Sequence, residues 1–307
     1  MRSEIGNVPI SKIRNVPIYE EPVFRPPSEA DSLILQATIG CSYNECTFCG
    51  MYRSKRFRIR SFEELRQEIH WARETLGAVR KVFLADGDAL VAKASYLRQI
   101  LDELRAVFPQ LRRVSTYASP QALQIRSVEE MGQLREAGLT LYYLGIESGH
   151  DEVLAKLRKG VDSKEMVACA RKAVEADVKL STMILLGAGG RELSAAHAEH
   201  SARVVNAIGP RFVSTLVMTP VEGTPLWEED RRDEIEHLSP IELAAELRTF
   251  IAGLELDGTV FRSNHASNYL ALAGTLPKDK QRLLDGLDAV LEHPDAAPFR
   301  PAWLRGL

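Results

Sequence analysis

Residues 33–50 read LILQATIGCSYNECTFCG, an apolar run of strand length that leads directly into three cysteines. The run is apolar at most positions, as in parallel strands whose two faces are both covered. The cysteines are Cys41, Cys46 and Cys49. Because they follow the strand without a break, we expect them in the first loop at the carboxyl edge of a sheet.

Five further apolar runs follow, and segments of helical periodicity separate them. They are KVFLAD (81–86), RVSTYAS (113–119), TLYYLGIE (140–147), KLSTMILLG (179–187) and RFVSTLVM (211–218). Strands that alternate with helices of this length predict right-handed βαβ units and a parallel sheet. Six such units indicate an incomplete barrel or an open doubly wound sheet, and in both cases ligands bind at the carboxyl ends of the strands.

Composition and charge exclude several classes of protein. The 307 residues are 45% hydrophobic and 26% charged, which is typical of a soluble globular protein. The 39 basic and 42 acidic residues leave a net charge of −3, so no overall basic field indicates a nucleic-acid partner. The sequence contains no apolar stretch long enough for a membrane span, and its first 22 residues lack the apolar run of a secretory signal. We therefore expect a cytoplasmic protein with no membrane partner.

The cysteine cluster indicates metal binding, because free cysteines in a reducing compartment serve ligation or catalysis more often than disulfides. Three thiolates on one loop can bind three irons of an iron–sulfur cluster and leave a fourth iron open. A structural zinc site needs four protein ligands, and the candidates His70 and Cys169 lie on predicted helices away from the loop. The cluster is the favoured interpretation, with zinc and unliganded thiols as alternatives.

Further short motifs stand at the ends of the predicted strands. They are the Asp86-Gly87-Asp88 turn, GIESG at 145–149, LGAGG at 186–190 and MTP at 218–220. With the cysteines, their order resembles the radical S-adenosylmethionine (SAM) superfamily. GIESG is similar to the branch of elongator-type, methylthiotransferase and nitrogenase-cofactor maturation proteins. The cysteine spacing, C-x4-C-x2-C, is one residue longer than the usual C-x3-C-x2-C of that superfamily.

The resemblance implies a radical SAM enzyme built on a partial (β/α)6 TIM-like barrel over residues 32–256. Residues 1–31 would form an extended arm, and residues 257–307 a helical C-terminal extension packed on the barrel. In this superfamily the cofactors are a [4Fe–4S] cluster and SAM. Flavodoxin or ferredoxin supplies an electron that cleaves SAM to a 5′-deoxyadenosyl radical, which attacks a substrate. Radical transfer of a methyl group or another SAM fragment, and a non-catalytic iron–sulfur carrier, are the alternatives.

The resemblance also assigns roles to individual residues. Cys41, Cys46 and Cys49 would bind the cluster and, with Glu147, form the catalytic set. The SAM contacts would come from Phe48, Asp86, Gly87, Asp88, Glu147, Arg158, Lys159, Gly187, Gly189 and Met218. The Asp-Gly-Asp sequence is also common as a plain turn, and Phe48 is also compatible with the core. Because a buried carboxylate needs a charged partner, we expect Glu147 to pair with SAM or with Arg158.

Polar residues near the later strand ends suggest a substrate side. The candidates are Ser115, Tyr117, Asn264, His265 and Asn268. Polar loops beside a barrel mouth often close over substrate, and otherwise such residues form turns and caps.

Two other groups of residues have structural as well as functional interpretations. The run from Arg53 to Arg60 contains five basic residues, which indicate a solvated face or a contact for an acidic electron donor, the SAM carboxylate or a phosphate-bearing substrate. His197 and His200 stand three residues apart on a predicted helix, where an exposed face is favoured over metal binding. Cys169 is expected in the core as a small apolar residue.

Overall fold

The structure of the protein is a computed structural model that describes residues 19–306, in which strands and helices alternate along the chain. The elements in chain order are β1 (Leu33–Gln36), β2 (Thr38–Ile39), β3 (Arg58–Ile59), α1 (Phe62–Leu76), β4 (Lys81–Ala85), α2 (Ala94–Val107), β5 (Arg113–Ala118), α3 (Pro120–Ile125), α4 (Val128–Glu136), β6 (Leu139–Glu147), α5 (Asp151–Lys156), α6 (Ser163–Glu175), β7 (Lys179–Leu186), α7 (Gly190–Ile208), β8 (Phe212–Val217), α8 (Pro225–Arg231), α9 (Pro240–Gly253), β9 (Val260–Ser263), β10 (Leu272–Thr275) and α10 (Lys280–Glu292). The six predicted strands are all present.

One eight-stranded sheet organises the protein, in the order β1-β4-β5-β6-β7-β8-β9-β10. Every neighbouring pair from β1 to β9 is parallel, and only the last pair, β9 with β10, is antiparallel. The spatial order follows the chain order with no reversal. A doubly wound sheet requires such a reversal, so this winding is that of a barrel. Because β1 and β10 remain at the two edges, the barrel is partial, as predicted.

The main core lies between the outer face of the sheet and the helices. Several helices begin at a reciprocal capping box, in which a Ser or Asp side chain and a Glu three residues later satisfy each other's backbone N–H groups. These boxes start α1, α4, α6 and α9. A second, small cluster of Phe83, Ala85, Leu141 and Tyr143 lies on the inner face of the sheet. The carboxyl ends of the strands thus meet above an inner surface that is partly apolar.

The C-terminal region is not purely helical, as the predicted helical extension would be. The helices are present as α9 and α10, but the polar segment between them contains β9 and β10, which continue the sheet. Phe261 and Ser263 are buried while Arg262 is exposed, so β9 has the alternation of a strand. Four residues are too few for this period to stand out in the sequence. The boundary between a barrel ending at residue 256 and an extension from residue 257 stays a prediction, and the sheet crosses it.

The described part of the N-terminal arm packs against the barrel. Glu29 is fully buried and accepts hydrogen bonds from Arg113 at 2.7 Å and from the Tyr143 hydroxyl at 2.6 Å. The Tyr19 hydroxyl donates to the backbone oxygen of Ile34. The predicted extended arm over residues 1–18 lies outside the described residues. Among residues 19–306, no helix is both long and apolar enough to cross a membrane.

Candidate active site

The cysteine loop connects β2 to β3 and is fastened at its base by Asp86. The Asp86 carboxylate is fully buried and accepts hydrogen bonds from the Gly40 backbone N–H at 2.9 Å, the Lys55 ammonium at 2.8 Å and the Gln36 amide at 3.1 Å. A carboxylate with these partners is satisfied within the protein. The structure thus places the Asp86 carboxylate as an anchor of the loop, and the contact of this turn with SAM stays a prediction.

Gly87 allows the turn after β4 to approach the cysteine loop closely. Its backbone N–H donates to the Gly40 oxygen at 3.1 Å. A Cβ atom at this position would lie 2.8 Å from the Cβ of Cys41 and 2.8 Å from the ring of Tyr52. Both distances are shorter than van der Waals contact, so any larger residue would push the loop away. Glycine is required here for the position of the first cysteine.

Asp88 differs from Asp86 because one of its carboxylate oxygens has no protein partner. The other oxygen accepts hydrogen bonds from the hydroxyls of Ser42 and Ser119. The oxygen without a partner is Oδ1, which is buried and has no hydrogen bond within residues 19–306. Burial raises the pKa of Asp88, although the two serine hydrogen bonds lower it. Of the two predicted acidic residues, Asp88 is the one that retains an acceptor for a ligand.

The three cysteines of the loop are free thiols, and all three are partly buried. Burial is the main cause that raises the pKa of each thiol. Negative charge on a neighbouring cysteine also raises each pKa. The neighbour is Cys46 for Cys41, Cys49 for Cys46, and Cys41 for Cys49. The loop thus holds three sulfur donors near one another in an environment that disfavours their thiolate forms. A positively charged metal centre would reverse this preference.

The donor set fits an iron–sulfur cluster by its chemistry. Among residues 19–306, no group of three or more His, Cys, Asp or Glu side chains is arranged to hold a single metal ion. In a four-iron cluster each thiolate binds a different iron, so the ligands stand around the cluster and do not converge on one point. Three observations show that the residues present suit an iron–sulfur cluster and SAM. The donors are all sulfur, Gly87 leaves room for Cys41, and one oxygen of Asp88 is open to a ligand.

Arg53 fixes the second half of the cysteine loop. Its guanidinium donates to the backbone oxygen of Cys46 at 2.6 Å and to that of Cys49 at 2.9 Å. A guanidinium presents its donors in a rigid fork, so the two contacts define the relative position of the two cysteine backbones. They also keep a positive charge beside the thiols.

The rest of the basic run is divided between the interior and the surface. Lys55 is buried against Asp86, and Arg60 is buried with its guanidinium 2.6 Å from Glu68. Arg56 and Arg58 are exposed. The run therefore builds the cysteine loop from within, and the solvated face predicted for it comprises two arginines only.

Glu147 and Lys159 form a buried ion pair beside the cysteines. The Lys159 ammonium lies 3.0 Å from Glu147, both side chains are about one tenth exposed, and the ammonium stands 5.8 Å from the centre of the Phe48 ring. Burial alone lowers the pKa of Lys159, but Glu147 and Cys46 outweigh it and raise that pKa above its usual value. A Cβ on Gly145 would lie 1.9 Å from a Glu147 oxygen, so this glycine makes room for the carboxylate.

The partner of Glu147 corrects the sequence prediction. We expected Arg158 or SAM as the charged partner, but the protein partner is Lys159. Arg158 has a positive φ of 49°, is exposed and lines an open surface groove with Tyr43 and Asp162. The tight turn after α5 directs one cation inward and its neighbour outward.

The glycine turn after β7 is held from behind. Gly187 has a φ of 82°, and its backbone N–H donates to Glu246 at 2.7 Å. A Cβ on Gly189 would lie 3.1 Å from the Cβ of His197, so the start of α7 packs closely there. Met218 follows β8, and its N–H bonds to the backbone oxygen of Leu186 next to the turn. Three predicted SAM contacts thus share one edge of the barrel.

On the inner face of the sheet, Tyr117 is the substrate candidate that faces the barrel interior. Its ring makes edge-to-face contacts with Phe83 at 5.1 Å and Tyr143 at 6.1 Å between centroids. Ser115 is fully buried and its hydroxyl donates to the backbone oxygen of Val82. Ser115 therefore belongs to the sheet, while Tyr117 remains partly open.

The polar loop after β9 serves mainly to extend the sheet. The Asn268 amide donates to the backbone oxygen of Thr215 at 2.7 Å and accepts from the β8 backbone at 2.8 Å. It acts as a substitute for strand pairing, so the capping interpretation describes Asn268. His265 is partly buried and bonds to the Ser267 hydroxyl, and Asn264 is exposed. Any substrate contact of His265 or Asn264 stays a prediction.

Two buried residues near the glycine turn were missed or misplaced by sequence reasoning. His197 is fully buried, not exposed as expected. Glu246 on α9 was not identified, although it lies on the same helical stripe as Leu243 and Phe250, where a charge is unusual. A charged residue among the apolar positions of this helix was the sequence feature that could have identified Glu246. Cys169 is buried in the core, as predicted.

The sequence and the fold are similar to those of known proteins. The profile of the Radical SAM superfamily matches residues 35–194, which include the cysteine loop and the first three strand-end motifs. The biotin synthase of Pelotomaculum thermopropionicum is 24% identical over 225 residues, or 72% of this chain and 66% of that protein. The match therefore leaves about a third of that relative uncovered.

Solved structures show the same fold at low sequence identity. The crystal structure of methylornithine synthase (PylB) has a TM-score of 0.52 and 18% identity, covering 84% of this chain and 81% of that one. Elp3 of the archaeon Methanocaldococcus infernus has a TM-score of 0.51 and 15% identity, covering 76% and 59%. Because these proteins differ from one another in kind, the predicted branch of the superfamily stays a prediction.

Proposed function

Because this chain belongs to the radical SAM superfamily, we propose that it is a radical SAM enzyme, which binds a [4Fe–4S] cluster through Cys41, Cys46 and Cys49 and cleaves SAM reductively. When bound, the cluster would supply an open iron and one electron, with which the C–S bond of SAM would break to give methionine and a 5′-deoxyadenosyl radical for attack on a substrate. The observation that carries this proposal is the three-thiol loop, fastened at the carboxyl edge of the barrel by Asp86 and Gly87.

The protein's own task at the cluster is to hold three thiolates and offset their charge. The Arg53 guanidinium and the Lys159 ammonium provide two positive charges next to the loop. Nearby charge and hydrogen bonds are what set the potential of such a centre. Phe48, whose ring centre is 5.8 Å from the Lys159 ammonium, would limit the access of water to the loop.

The SAM contacts follow from the groups that the structure leaves available. Asp88 has an open oxygen for the ammonium of the amino acid end. Glu147 accepts from Lys159 through one oxygen, and its second oxygen has no hydrogen bond to residues 19–306. Gly187 and Gly189 have no side chains, so the flat adenine ring could approach the backbone closely at these two positions.

A reduced flavodoxin or ferredoxin is the proposed electron donor. Radical SAM enzymes generally require an electron donor, and both of these carriers are typically acidic. The exposed Arg56 and Arg58 flank the cysteine loop and would favour such a partner. Arg58 is also 3.2 Å from Glu20, so Arg56 is the freer of the two.

The test is purification without oxygen, followed by reconstitution with iron and sulfide, reduction and addition of SAM. We expect about four irons per chain and the formation of 5′-deoxyadenosine, detected by mass spectrometry. The matched control is the Cys169→Ala variant, which removes a core thiol and should behave like the wild type. Iron binding without any SAM product, even with candidate substrates, would indicate a carrier. Zinc in place of iron would contradict the proposal.

A further inference from the structure

Glu246 is a buried carboxyl group behind the glycine turn that follows β7, and the proposed function gives it no role. It lies on α9, which comes after β8 in the chain, and it is 2% exposed. One of its oxygens accepts the Gly187 backbone N–H at 2.7 Å, and the other bonds to the Ser194 hydroxyl at 2.5 Å. Burial raises its pKa to about 7, although both hydrogen bonds lower it.

Among residues 19–306, no Lys or Arg side chain forms an ion pair with Glu246 that would explain its burial. His197 is 3.7 Å away and fully buried. Its ring nitrogens bond to the Leu185 backbone oxygen at 3.0 Å and to the Ser148 hydroxyl at 2.8 Å. Burial lowers the pKa of His197 to about 4, so the ring is neutral near neutral pH. A buried carboxyl without a cationic partner is costly, which indicates a specific use.

The use that the contacts support is control of the glycine turn. Gly187 has a left-handed backbone and no side chain, so its conformation depends on what its N–H contacts. Glu246 is that contact. His197 links the same strand end to the turn after β6, since it bonds to both Leu185 and Ser148.

We propose that Glu246 is a positioning residue that sets the affinity for SAM by fixing the Gly187 turn. This inference rests on the proposed function, because it assumes that SAM lies against that turn. Glu246 touches neither the cysteines nor a reacting atom and acts only through Gly187. The C-terminal region would then be an integral part of the cofactor site, since α9 supplies this carboxyl group.

The experiment compares SAM affinity among variants of the reconstituted protein by calorimetry, with iron content and melting temperature measured in parallel. Glu246→Leu removes both hydrogen bonds and should weaken SAM binding about tenfold with unchanged iron content. Glu246→Gln keeps an acceptor for Gly187 and a donor for Ser194, so its affinity should stay within about twofold of the wild type. Glu246→Asp withdraws the acceptor by one carbon and should give an intermediate loss.

A second variant on α9 separates positioning from stability. Leu247→Ala removes a buried side chain next to Glu246 and should lower the melting temperature while SAM affinity stays unchanged. Tight SAM binding by Glu246→Leu would overturn the inference, and Glu246→Asp decides in the same way if Glu246→Leu does not fold. Equal losses in Glu246→Gln and Glu246→Leu would also overturn it. Wild-type protein that loads iron but binds no SAM would overturn the proposed function, and the inference with it.

Discussion

The ion pair between Lys159 and Glu147 allows a direct test of how the protein treats charge beside the cysteines. The perturbation is Lys159→Met, which keeps the length of the side chain and removes its charge. The two partners are 3.0 Å apart and about one tenth exposed. The substitution would leave the Glu147 carboxylate buried without its cation.

The magnitude follows from the distance and the burial. At 3.0 Å and an effective dielectric constant of about 20, the attraction between unit charges is about 5–6 kcal/mol. Desolvation offsets much of this when the pair forms, but removal of one partner strands the other. Broken buried pairs of this kind cost about 3–5 kcal/mol. In a domain of this size we expect the melting temperature to fall on the order of 10 °C.

The chain offers a matched control for this measurement. Lys156 and Glu152 form an ion pair at the same distance of 3.0 Å, but their side chains are 60% and 58% exposed. Lys156→Met should therefore cost less than about 1 kcal/mol. Both variants are unfolded in urea and followed by circular dichroism. If Lys159→Met loses no more stability than Lys156→Met, the argument from burial is refuted.

Three other variants test separate parts of the account. Arg53→Gln removes a positive charge beside the cysteines and the guanidinium that bridges the backbone oxygens of Cys46 and Cys49. We therefore expect a more negative reduction potential of the reconstituted protein in a redox titration, and an unchanged potential would contradict this. Gly87→Ala places a methyl group 2.8 Å from two neighbours and should lower iron loading severalfold, whereas Gly132→Ala meets no atom within 4 Å and should leave it intact. Because the pKa of Glu246 is raised from 4.5 to about 7, its ionised form is disfavoured in the folded state, and wild-type stability falls as pH rises from about 4.5 and levels off above about 7. Glu246→Gln should gain on the wild type over that range, by up to about 3 kcal/mol in urea unfolding, and a constant difference would contradict the assignment.

The barrel was predictable because each strand and each helix carries its own local signal. The runs that become β4 and β6 are apolar at most positions, and the helices have their own period and caps. The short β9 was missed because Arg262 interrupts a strand of four residues. Its place in the sheet depends on pairing with β8, which is a tertiary contact.

The site was predictable to the level of segments but not of side chains. Arg158 and Lys159 are adjacent cations, and only the turn after α5 decides which of them faces Glu147. In the same way, the sequence does not indicate that Asp86 pairs with Lys55, while one carboxylate oxygen of Asp88 has no hydrogen bond within residues 19–306. Such pairings join residues that are distant in the chain, so local patterns cannot predict them.

The central claim is that three cysteines hold a cluster with one iron open to SAM. It is tested most directly by electron paramagnetic resonance of the reduced, reconstituted protein before and after addition of SAM. We predict a signal from a reduced [4Fe–4S] cluster that changes when SAM is added, because SAM would bind at the open iron under the proposed function. The signal should be absent when Cys41, Cys46 and Cys49 are replaced together by Ala. A signal that SAM leaves unchanged, or one that survives this triple replacement, would contradict the account.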